Sequence, residues 1–419
     1  MKVLLSVFEC NPYRGSDSYV GWSYLENMAK LNEVYALTRS DNKEDIEKYL
    51  AEQPALRDRI HFTYVGRAQL FSKYFYKLNR YLGFLGSYFV WQKASYKAAK
   101  KICAQNDISV CHHVTIADFR CAGYLWKCGK PFVLGPIGGG QETPVCLKEY
   151  VKGHEKSERF RSVMNKATTM LPSYRKALRN AAVIYSSNDE TTACISRRMN
   201  GMDTSKLIQM TELCIDTGYL AQREELRKDM GHPIRIIVSG RLIYRKGIAL
   251  LLDALTRVKT EVPFVVDIFG EGDQAPYLKK KTDENGLQDK VLFHGKVGFE
   301  EMQNRYKDAD IYILPSLRET TGTAVFEAMA NKLPVIALNQ NGVKHIVEAD
   351  SGILIDLRSK EQVLNDFAAA IKVLIEDPAL RIKQGECGFN KLKEKYTWER
   401  RVRLMNDVYS GICKEEKVQ

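Results

Sequence analysis

Short, wholly apolar runs alternate with longer segments whose apolar residues recur every three or four positions, and this rhythm fills most of the chain. The runs read as buried strands and the periodic segments as amphipathic helices. In the first half the pattern predicts strands at Val3–Phe8, Val34–Thr38, Ile60–Val65, Ser109–Val114, Phe132–Gly135 and Ala182–Ser186. Helices are predicted at Gly21–Leu31, Glu44–Ala51, Gly123–Lys127 and Asp189–Met199, with two more between about Leu70 and Gln105. The polar, basic stretch Lys148–Asn180 also reads as helical. A polar connector, Thr211–His232, separates this half from the next. There the strands are Ile234–Val238, Phe264–Phe269, Val291–His294, Ile311–Leu314, Leu333–Leu338 and Gly352–Ile355. The intervening helices are Ile248–Val258, Pro276–Asn285, Glu300–Ala309, Thr323–Asn331 and Glu361–Glu376. A last helix, about Thr397–Cys413, carries Trp398, Val402, Met405, Val408 and Tyr409 on one stripe.

Strand–helix–strand repetition implies parallel sheets wrapped by helices. Two such halves in 419 residues imply an α/β protein of two doubly wound, Rossmann-like domains facing each other across a cleft. The boundaries predicted are 1–212 and 213–396, with 397–419 packing back on the first domain.

Composition narrows the class. Apolar residues at 45% and charged ones at 27% belong to a globular protein, and no apolar run approaches the roughly 20 residues of a membrane span. The six-residue run Val3–Phe8 before Glu9 is too short for a signal segment, so the expected location is the cytoplasm. Ten cysteines occur without a CxxC pair, and His112 and His113, as strand neighbours, point to opposite faces. No metal site is expected. The net charge of +12 lies wholly in residues 1–200, which hold 30 Lys/Arg against 18 Asp/Glu. Much of it falls in Arg57–Lys101, interleaved with Phe71, Tyr74, Phe75, Tyr76, Tyr81, Phe84, Tyr88, Phe89 and Trp91. Two readings stay open: a peripheral face for an anionic membrane surface, or packed helices with solvated basic sides. No nucleic-acid-binding motif accompanies the charge, so nucleic acid is not an expected partner.

The candidate chemistry sits at two strand ends. After Ile234–Val238 comes Gly240-Arg241-Leu242-Ile243-Tyr244-Arg245-Lys246-Gly247, whose cations could clamp a diphosphate. After Ile311–Leu314 comes Pro315-Ser316, then Glu319 in a loop, Gly322, and a helix bearing Glu327. A carboxylate can take two hydrogen bonds from vicinal ribose hydroxyls, and amides near Gly322, Thr323 and Ala324 at a helix start favour phosphate.

With Phe269-Gly270-Glu271-Gly272, Val291-Leu292-Phe293-His294-Gly295, Ala309-Asp310-Ile311 and Glu327-Ala328-Met329-Ala330, these segments resemble glycosyltransferase family 4, at that family's spacing. The first half resembles it more loosely, through Pro12–Trp22, His112-His113-Val114-Thr115 and Gly135–Gly140. The resemblance implies the GT-B fold and a retaining enzyme that moves a hexose-type sugar from a UDP-sugar or GDP-sugar donor to a saccharide or lipid-linked acceptor, of the bacterial cell-surface polysaccharide type. It implies that Arg241 and Lys246 neutralise the diphosphate, Glu319 holds the sugar and Glu327 binds the ribose. Lys296 and Val297 would meet the base through backbone groups, and Gly15 and Gly240 would let the backbone approach the donor. A first-domain histidine beside the sugar is implied, His113 in preference to His112.

The chain departs from that pattern at Thr321, where an aromatic is usual, at Lys332, where a glycine commonly ends the helix, and at Asn341 and His345. No Asp-x-Asp motif stands at a plausible position, so no metal or other cofactor is expected, and leaving-group charge falls to Arg241, Lys246 and the helix start. The alternatives are another GT-B enzyme, a nucleotide-sugar epimerase or phosphorylase, and a non-catalytic nucleotide-sugar-binding protein.

Overall fold

A computed structural model of the chain describes residues 1–15, 17–66, 80–223, 225 and 233–415. They fall into two compact units. The first comprises Met1–Gly140, Ser162–Leu213 and Trp398–Gln419, and the second Gln141–Arg161 and Cys214–Thr397.

In the first unit the strands are β1 (Lys2–Val7), β2 (Glu33–Arg39), β3 (Ile60–Val65), β4 (Val110–Thr115), β5 (Phe132–Ile137), β6 (Ala181–Ser186) and β7 (Leu207–Gln209). They form one sheet in the order β3-β2-β1-β4-β5-β6-β7, and every pairing is parallel. β4 and β5 are buried along their whole length, as the continuous apolar runs require of strands covered on both faces. The C-terminal helix Trp398–Glu415 belongs to this unit and buries Trp398, Val402, Met405 and Tyr409. Trp398 packs edge-on against Tyr24, and the Arg401 guanidinium donates to the Thr211 carbonyl at 2.7 Å.

The second unit has β8 (Ile234–Ser239), β9 (Phe264–Phe269), β10 (Val291–Gly295), β11 (Ile311–Leu314), β12 (Val335–Leu338) and β13 (Gly352–Ile355). Its sheet is also parallel throughout, in the order β10-β9-β8-β11-β12-β13. In each unit the strand order reverses direction once, between β1 and β4 and between β8 and β11. Such a reversal opens a crevice at the strand carboxyl ends.

Several expectations need correction. Residues Gln141–Arg161, placed by sequence in the first domain, cluster with the second. Leu147 and Val151 are buried in the second unit's core, Tyr150 donates to Asp253 at 2.8 Å, and Glu149 pairs with Lys360. The stretch read as one helical region is three pieces, a 3-10 turn at Val145–Val151 and helices at Glu155–Thr169 and Pro172–Asn180. A helix at Pro378–Lys395 was not anticipated, nor were the short strand β7 and the helix Thr217–Ala221.

The basic, aromatic region resolves in part. Tyr88 and Trp91, on the helix Arg80–Gln105, are buried and meet Phe8 edge-on, each at 4.9 Å, and Phe84 packs against the same core. Lys93, Lys97, Lys100 and Lys101 face outward from the same helix. Here the aromatic and basic residues are on different faces, as in an ordinary packed helix. Phe71, Tyr74, Phe75 and Tyr76 lie outside the described residues, as does the Tyr81 side chain. No described helix is long and apolar enough to cross a membrane.

Candidate functional site

Three loops at the carboxyl end of the second sheet are held in backbone contact by glycines. A Cβ on Gly247, whose φ is +68°, would come within 1.9 Å of the Pro315 carbonyl oxygen. One on Gly270 would strike the Gly240 carbonyl oxygen at 1.8 Å. The loops after β8, β9 and β11 therefore approach more closely than any side chain allows. Leu317 N–H donates to the Arg245 carbonyl at 2.9 Å, adding a hydrogen bond between the first and third loops.

This contact brings Lys246 to Glu319. The Lys246 ammonium donates to Glu319 Oε2, and the Ser316 hydroxyl donates to the same oxygen at 3.2 Å. Both charged side chains are largely buried, at 17% and 15% exposure. Burial pushes the Glu319 carboxyl up. Lys246, with help from Arg245 and Ser316, outweighs that and holds it below the usual carboxylate range. The backbone around Glu319 is fixed too, its N–H donating to Asn341 Oδ1 at 2.8 Å and its carbonyl accepting from Gln141 Nε2 at 3.2 Å.

Arg241 is exposed and makes no ion pair among the described residues. It lies close enough to Arg245 to depress that guanidinium's proton affinity, after burial and against the pull of Glu319. Gly240, Arg241, Lys246, Pro315 and Ser316 line one small depression. A cavity of about 390 Å³ lies elsewhere in the unit, lined by Tyr150, His154, Tyr244 and Lys281. The depression, although smaller, is where Arg241 and Lys246 converge.

The helix Thr323–Ala330 starts beside Glu319. Gly322 takes a left-handed φ of +85°, and a Cβ there would lie 3.4 Å from Glu319 Cγ. The first amides of this helix, at Thr323 and Ala324, have no intrahelical acceptor. One turn on, Glu327 hydrogen-bonds Tyr306, whose hydroxyl meets Ser239 Oγ, at the end of β8, at 2.7 Å. Burial raises the Glu327 carboxyl to about 7, against the lowering effect of Tyr306. Lys296 is exposed and Val297 half-buried, in the loop between β10 and the helix Phe299–Asp308. Asp308-Ala309-Asp310 stands at the opposite, amino end of β11, where Asp310 accepts from the Arg235 amide at 2.8 Å.

Two departures noted in the sequence find their reasons. Lys332 adopts φ +55° at the helix end, the left-handed conformation a glycine would take, and pairs with Glu386 at 3.0 Å. Asn341 is left-handed as well, at φ +58°, a conformation asparagine tolerates better than most residues. Gly342 is needed sterically, because a Cβ would lie 2.1 Å from the Thr320 carbonyl oxygen.

In the first unit, β4 carries the two histidines at its middle, both fully buried. His112 is satisfied on both ring nitrogens, by the Tyr409 hydroxyl and the Gly135 carbonyl, each at 2.5 Å. It joins β4, β5 and the C-terminal helix. His113 Nε2 meets the Tyr88 hydroxyl at 3.1 Å, while Nδ1 has no partner among the described residues. Burial lowers both rings, to about 3 and about 4, so both are neutral near pH 7. Gly15 is exposed in the β1 loop, and a Cβ there would meet nothing within 4 Å, so the local fold does not itself demand glycine.

Sequence reasoning did not single out Arg245, Ser239, Tyr306 or Asn341 as site residues. Arg245 carried a usable signal, being a cation of the β8 loop between Arg241 and Lys246. The others act through tertiary contacts.

Residues 221–391 match the family described as glycosyl transferases group 1. The alpha-D-kanosaminyltransferase of Streptomyces kanamyceticus is 31% identical over 202 residues, covering 46% of this chain and 50% of that protein. The chain spans about half the length of the curated relatives it matches. Among solved structures, a glycosyltransferase from Rickettsia africae superposes with a TM-score of 0.65 at 15% identity, covering 99% of this chain and 98% of that one. Anabaena HepE, crystallised in complex with UDP, gives 0.60 at 12% identity, covering 98% and 99%. At such identities the likeness is one of fold, and the fold is GT-B, with two parallel-sheet α/β domains. The part of the chain that matches this family, residues 221–391, lies within the second unit.

Proposed function

We propose that this chain is a retaining glycosyltransferase that moves a hexose-type sugar from a UDP-sugar or GDP-sugar to a hydroxyl of a saccharide or lipid-linked saccharide, in the synthesis of a cell-surface polysaccharide. The observation that carries the reading is the Lys246–Glu319 contact, formed by the two loops that flank the reversal in strand order. HepE, of the same fold, holds UDP, and the family is one of glycosyl transferases, which supports a nucleotide-sugar donor.

In this reading an ammonium group has three donors and Glu319 uses one of them, leaving two for diphosphate oxygens. Arg241, exposed beside Arg245, adds a planar fork for the second phosphate. The amides of Gly322, Thr323 and Ala324 add dipolar stabilisation. As the anomeric carbon–oxygen bond breaks, negative charge grows on the departing diphosphate, and these groups meet it without reorganising. Glu319, held ionised and positioned by Ser316 and Asn341, accepts hydrogen bonds from the sugar hydroxyls. Glu327 accepts from the ribose. Gly15 and Gly240 leave the backbone accessible to the donor, and Lys296 and Val297 meet the base. His113, neutral and hydrogen-bonded to Tyr88, is the first-unit group assigned to the sugar. His112, with both ring nitrogens hydrogen-bonded within the fold, is less suited to that role.

The test is a panel of UDP- and GDP-sugars incubated with the full chain, with and without saccharide acceptors, scored for nucleoside diphosphate release. Slow release from one donor, accelerated by an acceptor and yielding an α-linked product from an α-linked donor, is the expected result. Conversion of the donor to its epimer without acceptor, or no turnover of any donor, would overturn the proposal.

A further inference from the structure

Three cysteines that are far from any CxxC spacing converge in the first unit. Cys103 lies near the end of the helix Arg80–Gln105, Cys111 in β4, and Cys128 in the 3-10 turn Leu125–Cys128. Their sulfur atoms all lie within 4.8 Å of one another, and Cys103 and Cys111 are 3.8 Å apart. Thiolates bound to one ion at about 2.3 Å sit roughly 3.8 Å apart in a tetrahedral arrangement and roughly 4.0 Å apart in a trigonal plane. The 3.8 Å separation matches the tetrahedral value, and the 4.8 Å bound on the other two leaves both arrangements within reach of small side-chain rotations.

We propose that Cys103, Cys111 and Cys128 form a three-thiolate binding site for a soft metal ion, with copper(I) as its natural class of occupant. Softness selects the ion, because thiolate ligands favour copper(I) and zinc over the hard cations that oxygen ligands hold. Ligand number then separates the two. Among the described residues no histidine, carboxylate or fourth cysteine joins the group, whereas a closed zinc site has four ligands. Three sulfurs complete a trigonal shell for copper(I).

Lys130 acts electrostatically on Cys103 and Lys100 on Cys128, so positive charge offsets the negative charge that three deprotonated sulfurs would gather. Cys111 is buried, while Cys103 and Cys128 are half-exposed, which gives the ion an entry side and an enclosed end. A bound ion would tie the helix to the strand that carries His112 and His113. The site is independent of the donor chemistry proposed above and does not depend on it.

The experiment uses the full chain, reduced and metal-free under anaerobic conditions. Cadmium(II) is the spectroscopic probe, followed by its thiolate charge-transfer absorption, and copper(I) is titrated against a chromophoric chelator. The expected result is a break at one equivalent of either ion, with a rise in the Tm of the first unit. C103S and C128S should each weaken copper(I) binding by more than the roughly 10–100-fold typical of second-shell changes. C387S, at a half-exposed cysteine of the second unit, should leave binding unchanged. No break at one equivalent in the unaltered chain would overturn the proposal. So would charge-transfer absorption that survives in a folded C103S/C128S double variant, folding being checked by circular dichroism.

Discussion

Glu327 offers a prediction that can be worked through quantitatively. Its carboxyl is raised to about 7 in the ligand-free protein because it is buried, against the lowering effect of a hydrogen bond from Tyr306. A ribose diol can donate two hydrogen bonds only to the ionised form, so the binding-competent state exists above that value and is lost as pH falls through it. If nothing else titrates, apparent affinity scales with the ionised fraction. That fraction is about one in eleven at pH 6 and about ten in eleven at pH 8, a difference of about 10-fold, or about 1.4 kcal/mol. Free nucleoside diphosphates would confuse the result, since a terminal phosphate ionises near pH 6. A nucleotide sugar, whose phosphates are both esterified, has no such group. The assay is calorimetric titration of the preferred nucleotide sugar at pH 6, 7 and 8, in buffers of different ionisation enthalpy. Binding at pH 6 should be weaker and should release a proton to the buffer. Glu327→Gln should bind more weakly at pH 8, by about 1.5–3 kcal/mol for a lost charge-assisted hydrogen bond, and should show no pH dependence. Equal affinity of the unaltered protein at pH 6 and pH 8, or the same slope in the Gln variant, would refute the assignment of Glu327 to the ribose.

Other expectations follow from the same contacts. Lys246→Ala should lower turnover by roughly two to three orders of magnitude, as for one lost charge-stabilising donor, and steady-state assays with the native donor would check it. Gly247→Ala forces a non-glycine residue into the left-handed region, for about 1–2 kcal/mol, and overlaps the Pro315 carbonyl. With overpacking of about 1–3 kcal/mol added, a loss of about 3 kcal/mol in denaturant unfolding is expected, and unchanged stability would contradict the loop contact. Tyr409→Phe removes the partner of a buried His112 nitrogen and should cost about 1–3 kcal/mol, measured by urea unfolding, without touching the donor loops. Glu319 and Glu327 should act oppositely on ligand-free stability. The depressed Glu319 contributes stability above its ordinary value of 4.5 that is lost as pH falls, whereas the raised Glu327 favours acid and its contribution fades as pH rises towards 7.

Much of this architecture was legible in the chain, for reasons that can be named. Parallel strands covered on both faces are nearly continuous apolar runs, so β9, β11 and β13 are found at the residues where the pattern placed them. The helix Pro378–Lys395 was hidden because Gly385 and Gly388 interrupt a mostly polar sequence. Its reason is tertiary, since a Cβ on Gly385 would lie 2.0 Å from the Lys332 carbonyl oxygen. The attachment of Gln141–Arg161 to the second unit was equally invisible. Two buried side chains, Leu147 and Val151, and polar contacts such as Arg318 to Glu158 at 2.6 Å decide it, and none has a periodic signature. At the candidate site, Lys246 and Glu319 could be picked out because each follows a strand in a loop with turn residues. Arg245 became significant only when its proximity to Glu319 was seen, and Tyr306 only through its bridge from Glu327 to Ser239. The cysteine cluster shows the same limit, because its members come from a helix, a strand and a turn.

The central claim is that the loops after β8 and β11 grip a nucleoside diphosphate. Calorimetric titration of UDP and of GDP into the full chain and into an Arg241→Ala/Lys246→Ala double variant tests it most directly. The account predicts one equivalent of one nucleotide bound by the unaltered protein, with affinity reduced at least about 10-fold, or about 1.4 kcal/mol, in the variant. Equal binding by both proteins, or binding of neither nucleotide by the unaltered chain, would contradict it.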